Sequence, residues 1–482
     1  MFPMTNLLRG VAVSGLAIST GLAVGQALSP ADRTMAHDIF EQLVTTNTTH
    51  SVGSTAVAAE AMRDRLLKAG MPAGDMEIVG PSDKRLNLVV RYRAAKGATG
   101  KPVLFICHLD VVEANRSDWT LDPFQLTEKD GFFYGRGTQD VKDSDAALVT
   151  SLILLKRANF VPKRDLIIAL TADEEGGADN GVAWLLKNRP DLMNAGVVIN
   201  PDAGGIVLKE GRAAELNVEA TEKLYADFQI VATSAGGHSS LPRPDNPIYE
   251  LGDDLEKLEH TPFPAELNAV TRAYLEAEKK TASPDRHALM ERVLATPMDD
   301  TAAKELSGDP RMNATLRTTC VATMISGGHA PNALPGSATA NVNCRILPGH
   351  PPEEVRQHII SVLADPKLTV KYVDNAGVVF PSAPTTAAMA PPPLREDVTR
   401  PLHKVADAMF PNIAIVPIME TGASDSIYTL AAGLPSYGIS GMGIDAGDDR
   451  AHGRDERIRV ESFYNGVAFQ WHFMKALGEE SQ

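Results

Sequence analysis

Cysteine is scarce in this chain, which has only Cys107, Cys320 and Cys344 among its 482 residues. So few cysteines exclude a small scaffold built on disulfide bonds, and the odd number leaves at least one thiol free. Cys107 lies in an apolar run, as a small core residue would. Cys320 and Cys344 could pair in an oxidising compartment, and the sequence leaves this open.

An excess of positive charge is also missing. The chain has 46 Lys and Arg against 61 Asp and Glu, which gives a formal net charge of −15. Nucleic-acid-binding proteins normally carry a basic surplus, because neutralising phosphates supplies much of their affinity. The sequence lacks a Gly-x-x-x-x-Gly-Lys-Ser/Thr motif, and its expected strand-end loops lack Gly-x-Ser-x-Gly. We therefore expect no nucleic-acid partner, and we disfavour a P-loop protein and a serine hydrolase.

The most apolar stretch, Val11–Val24, is too short to span a bilayer comfortably. Arg9 precedes it, and the small residues Gly25 and Ala27 follow it. This pattern predicts a signal peptide over residues 1–27 and a periplasmic or secreted protein with no stable membrane span after cleavage. An uncleaved N-terminal anchor is the alternative.

The rest of the chain has the composition of a globular protein, with 44% hydrophobic and 22% charged residues and a mean hydropathy of −0.11. Strands alternate with helices up to Gly211, which predicts an α/β fold: a mostly parallel sheet with helices on both faces. The pattern then changes to alternating strands and Glu/Leu/Ala/Lys-rich helices, which predicts an inserted α+β lid domain. The predicted division is a catalytic domain in two parts, 28–212 and 346–482, with the insert at 213–345.

Five segments place carboxylate or imidazole groups at the ends of apolar runs. Loops at the carboxyl ends of parallel strands are where such folds bind ligands. Each residue alone has an ordinary explanation, such as a hydrogen-bonded core histidine, a turn aspartate or a solvated charge pair. Five such coincidences in one chain are poorly explained in that way. The segments are 105–110 (FICHLD), 135–140 (GRGTQD), 170–177 (LTADEEGG), 199–205 (INPDAGG) and 449–453 (DRAHG).

These residue types suit a metal centre. The adjacent carboxylates of Glu174 and Glu175 repel each other unless a cation is present. Two histidines and several carboxylates suit zinc or a similar divalent ion, and cobalt or manganese would accept the same ligands. Two neighbouring ions need one shared carboxylate and private ligands for each. The supply matches that need and leaves one carboxylate to carry protons.

With several further motifs, these segments resemble the zinc metallopeptidase family that contains carboxypeptidase S, glutamate carboxypeptidase, aminoacylase and succinyl-diaminopimelate desuccinylase. The resemblance covers nearly the whole chain after the signal peptide and implies a di-zinc exopeptidase-like fold. Within the family it is strongest to the carboxypeptidase S type, which includes secreted N-fatty-acyl-amino-acid hydrolases. The further motifs are GHSSLP at 237–242, NALPG at 332–336, CRILPG at 344–349, TGASDS at 421–426 and AHGRDE at 451–456.

The resemblance implies a set of metal ligands. His108 and Asp202 would hold one zinc ion, and Glu175 and His452 would hold the other. Asp140 would bridge the two ions, and the peptide bond that follows it would be cis.

The resemblance also implies three catalytic residues. Glu174 would be the general base that passes a proton from the attacking water to the leaving nitrogen. Asp110 would orient His108. His238 would meet the oxyanion, and in dimeric relatives this histidine comes from the neighbouring subunit.

A substrate carboxylate needs a clamp, and the resemblance assigns it to Asn332, Arg345 and Gly422. Arg345 offers a bidentate fork, Asn332 an amide donor, and Gly422 a close approach of the backbone. The ordinary explanations are a surface salt bridge for Arg345 and a turn residue for Asn332.

The function that follows is a di-zinc metallohydrolase that cleaves the amide bond of dipeptides or N-acyl amino acids with a free α-carboxylate. The alternative is a non-catalytic metal- or amino-acid-binding protein on the same fold, which would be expected to lack the base or a ligand. The resemblance also implies a homodimer through the insert, unless the helical length between Pro247 and Met312 replaces that contact within the chain, and the sequence leaves the choice open.

Overall fold

The computed structural model of the protein describes residues 27–176, 179–374, 377–386 and 392–481. The predicted signal peptide therefore lies outside the described residues, apart from Ala27. No helix in these ranges is both long and apolar enough to cross a membrane.

The described helices begin with an amino-terminal pair and end with the longest one. In chain order they are α1 (Pro30–Thr45), α2 (Thr55–Lys68), α3 (Lys142–Arg157), α4 (Gly181–Asn188), α5 (Pro190–Met193), α6 (Pro247–His260), α7 (Ala269–Glu278), α8 (Pro284–Leu294), α9 (Asp300–Leu306), α10 (Pro310–Leu316), α11 (Pro352–Leu363), α12 (Glu396–Met409), α13 (Ser426–Ala431) and α14 (Val460–Glu479).

The described strands are shorter and form four sheets. In chain order they are β1 (Met76–Ser82), β2 (Arg85–Tyr92), β3 (Gly100–His108), β4 (Thr127–Lys129), β5 (Phe132–Tyr134), β6 (Arg164–Thr171), β7 (Val197–Asn200), β8 (Gly205–Lys209), β9 (Arg212–Glu222), β10 (Leu224–Thr233), β11 (Gly237–His238), β12 (Thr319–Gly327), β13 (Ala333–Leu334), β14 (Ser337–Ile346), β15 (Thr369–Val373), β16 (Val379–Phe380), β17 (Ala414–Glu420), β18 (Ser436–Gly438), β19 (Gly443–Asp445) and β20 (Arg457–Arg459).

The largest sheet confirms the predicted α/β fold. Its strand order is β1-β2-β6-β3-β7-β18-β9-β8-β19, with β17 paired to β9. The central strands β6, β3, β7 and β18 run parallel to one another. Their carboxyl ends therefore meet at one edge of the sheet.

Helices cover both faces of this sheet. Alternate residues of its central strands point to opposite faces, so each strand contributes side chains to two cores. In β3, Val103 and Phe105 join a core that includes residues of α1, α3, α12 and α14. Leu104 and Ile106 join a second core with residues of α4 and α5. The strand is therefore apolar throughout, as a strand buried on both faces must be.

The insert contains a second sheet, which is antiparallel and has the order β12-β14-β10-β15-β16. Helices α6 and α11 pack against this sheet. Cys320 and Cys344 face each other across β12 and β14 and form a disulfide bond, while Cys107 is a buried free thiol.

The division of strands between the two sheets does not follow the predicted insert boundaries at 213 and 345. Strand β9, expected to open the insert, belongs to the large sheet, where it pairs in parallel with β17. Its alternating pattern resembles an exposed antiparallel strand, and its partner lies some two hundred residues later in the chain. The segment 352–373, expected to resume the catalytic domain, instead extends the insert through α11 and β15.

Helices α7 to α10 form a separate unit with its own small core. Helix α7 packs on β17 of the large sheet, where Val270 meets Ala220 and Met419. The helical part of the insert is thus joined to the catalytic domain within the same chain.

Candidate metal centre

Parallel strand ends bring most of the predicted ligands to one edge of the large sheet. His108 is the last residue of β3, which lies between β6 and β7. Glu174 and Glu175 follow β6, and Asp202 follows β7. The topology of the fold therefore explains why these distant parts of the sequence meet.

The first group of candidate ligands surrounds His108, which is 2% exposed. Its Nε2 lies 3.1 Å from Asp140 Oδ1 and 3.7 Å from Asp202 Oδ1. Its Nδ1 lies 3.0 Å from the backbone carbonyl oxygen of Asp110. Because a carbonyl oxygen only accepts hydrogen bonds, Nδ1 is the donor there, and Nε2 faces the carboxylates as the ligand atom.

The second group surrounds His452, whose side chain is 58% exposed. Its Nε2 lies 3.0 Å from Asp140 Oδ2 and 3.0 Å from Glu175 Oε1. Asp140 thus presents one carboxylate oxygen to each histidine. In both groups the ligand atoms lie within 4.8 Å of one another, as do those of a third group formed by His108, Glu174 and Glu175.

The electrostatics of this cluster call for cations. Burial and the negative charges of Asp202 and Asp425 raise the pKa of Glu174 well above its usual value. Burial also raises the pKa of Glu175, whereas hydrogen bonds from both histidines hold the pKa of Asp140 well below its usual value despite burial. Imidazole nitrogens and carboxylate oxygens in this arrangement fit a pair of divalent ions, which would offset the cost of burying the carboxylates.

Asp110 contacts both His108 and the turn that carries Glu174 and Glu175. Its carbonyl oxygen, rather than its carboxylate, makes the close contact with His108, since Asp110 Oδ1 is 3.8 Å from Nδ1. The carboxylate instead accepts the backbone N–H groups of Glu174 at 3.1 Å and Glu175 at 3.0 Å. Asp110 therefore orients both the histidine and the two-glutamate turn.

Glu456 positions the loop that carries Asp140. This buried carboxylate accepts the backbone N–H groups of Gly137, Gln139 and Asp140 at 3.1, 2.7 and 3.2 Å, and it pairs with Arg136 at 2.5 Å. The peptide bond between Asp140 and Val141 is cis, as the resemblance implied. Glu456 belongs to the motif AHGRDE, but that motif alone gave it no role.

Gln139 joins this loop to the loop that carries His452. Its side-chain amide donates to the carbonyl oxygens of Asp448 at 3.2 Å and Arg457 at 2.8 Å, and its Oε1 accepts the N–H of Arg450 at 2.7 Å. Sequence reasoning noted Gln139 without assigning it a function. Only the folded structure places the two loops side by side.

Asp425 is a further buried carboxylate near the ligand groups. Sequence reasoning missed this residue. Its oxygens accept hydrogen bonds from Asn180 Nδ2 at 2.6 Å and Thr171 Oγ1 at 3.2 Å. Burial raises its pKa to about 7. The motif TGASDS contains this residue, but an aspartate between two serines has no signature of its own.

The predicted residues of the insert lie on separate elements. His238 and Asn332 are exposed at the two-stranded ribbon of β11 and β13, where the N–H of Ser239 donates to the carbonyl oxygen of Asn332 at 3.1 Å. Arg345 is half-buried on β14, with its guanidinium 4.8 Å from the centre of the Tyr225 ring. No hydrogen bond or ion pair among the described residues joins these side chains to the ligand groups.

Gly422 lies in the loop after β17, and two residues further on Ser424 Oγ accepts a hydrogen bond from Asn200 Nδ2, at the end of β7, at 3.1 Å. The N–H of Gly422 points to Glu420 Oε1 at 3.4 Å. This loop therefore reaches the carboxylate-rich edge of the sheet, and the role of Gly422 in a substrate clamp stays a prediction.

Comparisons with known proteins agree with this geometry. A model described as peptidase family M20/M25/M40 matches residues 104–476. The chain is 26% identical over 413 residues to a probable carboxypeptidase S-like 2 of Dictyostelium discoideum, covering 81% of this chain and 75% of the relative. It is 28% identical over 386 residues to the N-fatty-acyl-amino acid synthase/hydrolase PM20D1 of Mus musculus, covering 78% of this chain and 74% of that one.

The fold is shared with solved structures as well. The M20 family metallo-carboxypeptidase Sso-CP2 of Sulfolobus solfataricus aligns with a TM-score of 0.63 at 16% identity, covering 92% of this chain and 99% of that chain. The family assignment favours an enzyme over the non-catalytic binding protein that the sequence left as an alternative. With the family model matching most of its length, the chain belongs to peptidase family M20/M25/M40 and is a metallohydrolase of that family.

Proposed function

We propose that the enzyme is a di-zinc amidohydrolase that cleaves the amide bond of dipeptides or N-acyl amino acids with a free α-carboxylate. The observation that carries the proposal is the position of Asp140, whose two oxygens lie 3.1 Å from His108 and 3.0 Å from His452. One carboxylate shared by two ligand groups is what a pair of neighbouring ions requires. The names of the relatives, a carboxypeptidase S-like protein and an N-fatty-acyl-amino acid hydrolase, support the same substrate class.

Bound zinc would lower the pKa of water and polarise the scissile carbonyl. Glu174 takes the proton of the attacking water at its carboxylate and passes it to the leaving nitrogen. The Asp110 carboxylate accepts the backbone N–H of Glu174 at 3.1 Å. This hydrogen bond fixes the backbone that carries the base. The raised pKa of Glu174 suits a group that must accept a proton and then release it.

The remaining predicted residues complete the proposal. His238 would donate to the oxyanion, and Asn332, Arg345 and Gly422 would hold the substrate carboxylate. The exposure of His238 and Asn332 supports this assignment, since both are accessible to a ligand.

We also propose a periplasmic or secreted location and a homodimer formed through the insert. Edge strand β12 supports the dimer, because Val321, Met324 and Ile325 are 60%, 71% and 64% exposed on it. Light scattering of the mature protein tests the assembly, and a monomer at micromolar concentration contradicts it. Fractionation of the producing cell tests the location.

Replacement of the base tests the mechanism. Glu174→Gln should lower kcat by roughly 10²–10⁴-fold, the usual contribution of a positioned base, while the metal content stays unchanged. The matched control is Glu60→Gln, at an exposed position on α2, which should behave as the wild type. Activity of the Glu174 variant near that of the wild type would refute the assigned base.

The carboxylate clamp has its own test. Substrates whose carboxyl end is amidated should be cleaved at least about tenfold more slowly, because Arg345 then loses a charged partner. Equal rates for free and amidated substrates would remove Arg345 from the substrate site.

A further inference from the structure

The loop between helices α1 and α2, residues 46–54, packs on the segment that follows β3. Thr49 forms a parallel bridge with Val111, and the N–H of Ser51 donates to Glu113 Oε1 at 2.9 Å. Because β3 ends in a metal ligand, these contacts place the loop at the rim of the metal centre.

His50 joins this loop to the turn that carries Glu174. Its Nδ1 lies 2.7 Å from Asp173 Oδ1. The Asp173 side chain is 1% exposed, whereas that of His50 is 54% exposed. Because an ionised carboxylate only accepts hydrogen bonds, Nδ1 is the donor in this contact. A hydrogen bond to a charged acceptor is stronger than one between neutral groups, so this contact can hold the turn in place.

Asp173 directly precedes Glu174 and has an unusual backbone conformation. Its φ is 60°, in the left-handed region that a residue other than glycine keeps only where its surroundings hold it. Its Oδ1 accepts the hydrogen bond of His50, and its Oδ2 accepts the N–H of Asp179 at 2.8 Å. The buried Arg85 places its Nε 3.4 Å from the same Oδ1. The position of Glu174 therefore depends on the contacts of the residue before it.

Gly176 leaves the space in which His50 and Asp173 meet. A Cβ atom at this position would lie 2.4 Å from Asp173 Oδ1 and 2.4 Å from His50 Nδ1. A side chain there would push the two groups apart. The turn is thus shaped around this hydrogen bond.

Two different contacts hold the turn. Asp110 accepts the backbone N–H groups of Glu174 and Glu175, but it also contacts the metal ligand His108, so a change at Asp110 would disturb both. His50 makes no hydrogen bond or ion pair with a metal ligand among the described residues. It is therefore the contact through which the turn can be loosened without touching a ligand.

We infer that His50 is a positioning residue, which through Asp173 sets the orientation of the Glu174 carboxylate. This inference rests on the proposed amide hydrolysis with Glu174 as the base. A base must lie within hydrogen-bond reach of the proton that it takes, so a small displacement of its carboxylate slows the reaction. His50 acts through Asp173 and needs no contact with the substrate.

The test measures kcat and KM of zinc-loaded variants on alanyl-leucine and palmitoyl-leucine. His50→Ala should lower kcat at least about tenfold and leave KM within about twofold, because the lost hydrogen bond orients the base and does not bind the substrate. His50→Asn keeps a donor near the position of Nδ1 and should recover kcat to within about threefold of the wild type. His50→Phe keeps a ring without the donor and should match His50→Ala.

The matched control is Val52→Ala, two residues along the same loop at a position that is 72% exposed. Its kcat and KM should equal those of the wild type. A structural role of the loop alone would not separate the donor-keeping variant from the ring-keeping one.

Amide hydrogen exchange, read by mass spectrometry on the zinc-loaded protein, reports on the turn itself. The N–H groups of Glu174 and Glu175 should exchange at least about tenfold faster in His50→Ala and His50→Phe, because the turn opens more often. In His50→Asn they should exchange as in the wild type.

A kcat of His50→Ala near that of the wild type would overturn the inference. So would a low kcat in His50→Asn, because the imidazole itself would then be needed, and so would a change confined to KM, because His50 would then bind the substrate. If the wild type cleaves neither substrate, the proposed function fails, and the exchange rates still decide the positioning role. Unchanged exchange in His50→Ala would overturn that role, whereas faster exchange that His50→Asn reverses would support it.

Discussion

The two histidine positions of the metal centre are built in different ways. His108 ends a central strand, is 2% exposed, and is fixed through its Nδ1 by the carbonyl of Asp110. His452 lies in the loop between β19 and β20, has a φ of 60°, and leaves 58% of its side chain exposed. The sheet itself organises the first position, whereas the second depends on contacts between two loops. A site of this kind should hold its two ions with unequal strength.

The largest effect is expected at the residue that both positions share. Asp140→Asn weakens both ligand groups at once, so we expect loss of both ions and a fall in activity of at least about a thousandfold. Metal analysis of the purified variant and its hydrolysis rate measure this. Asp118→Asn, at an exposed position, is the matched control. Retention of two ions by the Asp140 variant would show that this carboxylate is not the bridge.

The two positions should then separate on titration with a competing chelator. The ion held by the His452 group should leave first, with a dissociation constant at least about tenfold higher, because its ligands are less well organised before binding. His452→Ala should keep one tightly bound ion, while His108→Ala should lose the tighter of the two. Release of both ions in a single step from the wild type would contradict the comparison.

A smaller effect is expected from the contact between the two loops. Gln139→Ala removes three hydrogen bonds that tie residues 448–457 to the Asp140 loop. Losses of this kind around a metal site typically cost about 10–100-fold in affinity, and here the loss should fall on the His452 position alone. The same chelator titration reports it, and equal weakening of both ions would show that Gln139 acts on the whole site.

The smallest effect concerns the metal-free protein. Hydrogen bonds to Asp140 and Glu175 raise the pKa of His452 to about 10 from the 6.5 of the free side chain. A folded-state pKa above the unfolded value stabilises the fold fully below pH 6.5, and this contribution disappears as the pH rises towards 10. In urea unfolding, the difference between wild type and His452→Ala should therefore be larger at about pH 6 than near pH 9.5. A difference that grows with pH would contradict the assigned contacts.

The sequence could predict the part of the site that lies at the ends of the central strands. Each residue of that part ends or directly follows a recognisable apolar strand. An apolar strand that ends in His108, and others followed by Glu174 and Asp202, must place those groups at one edge once the strands run parallel. The segments 135–140 and 449–453 supplied Asp140 and His452 as candidates, and the resemblance to the family gave them their roles.

What the sequence could not predict depends on contacts between distant segments. Strand β9 joins the large sheet because β17, far along the chain, pairs with it. The contacts of Gln139 and the burial of Asp425 follow from loops that meet only after folding. Helix α7 likewise packs on β17, which lies more than a hundred residues later in the chain.

Anomalous X-ray diffraction at the zinc edge, on crystals of the zinc-loaded enzyme, tests the central claim most directly. The account predicts two peaks about 3.5–4 Å apart on either side of the Asp140 carboxylate, one beside His108 and Asp202 and the other beside Glu175 and His452. A single peak, or peaks away from Asp140, would contradict it.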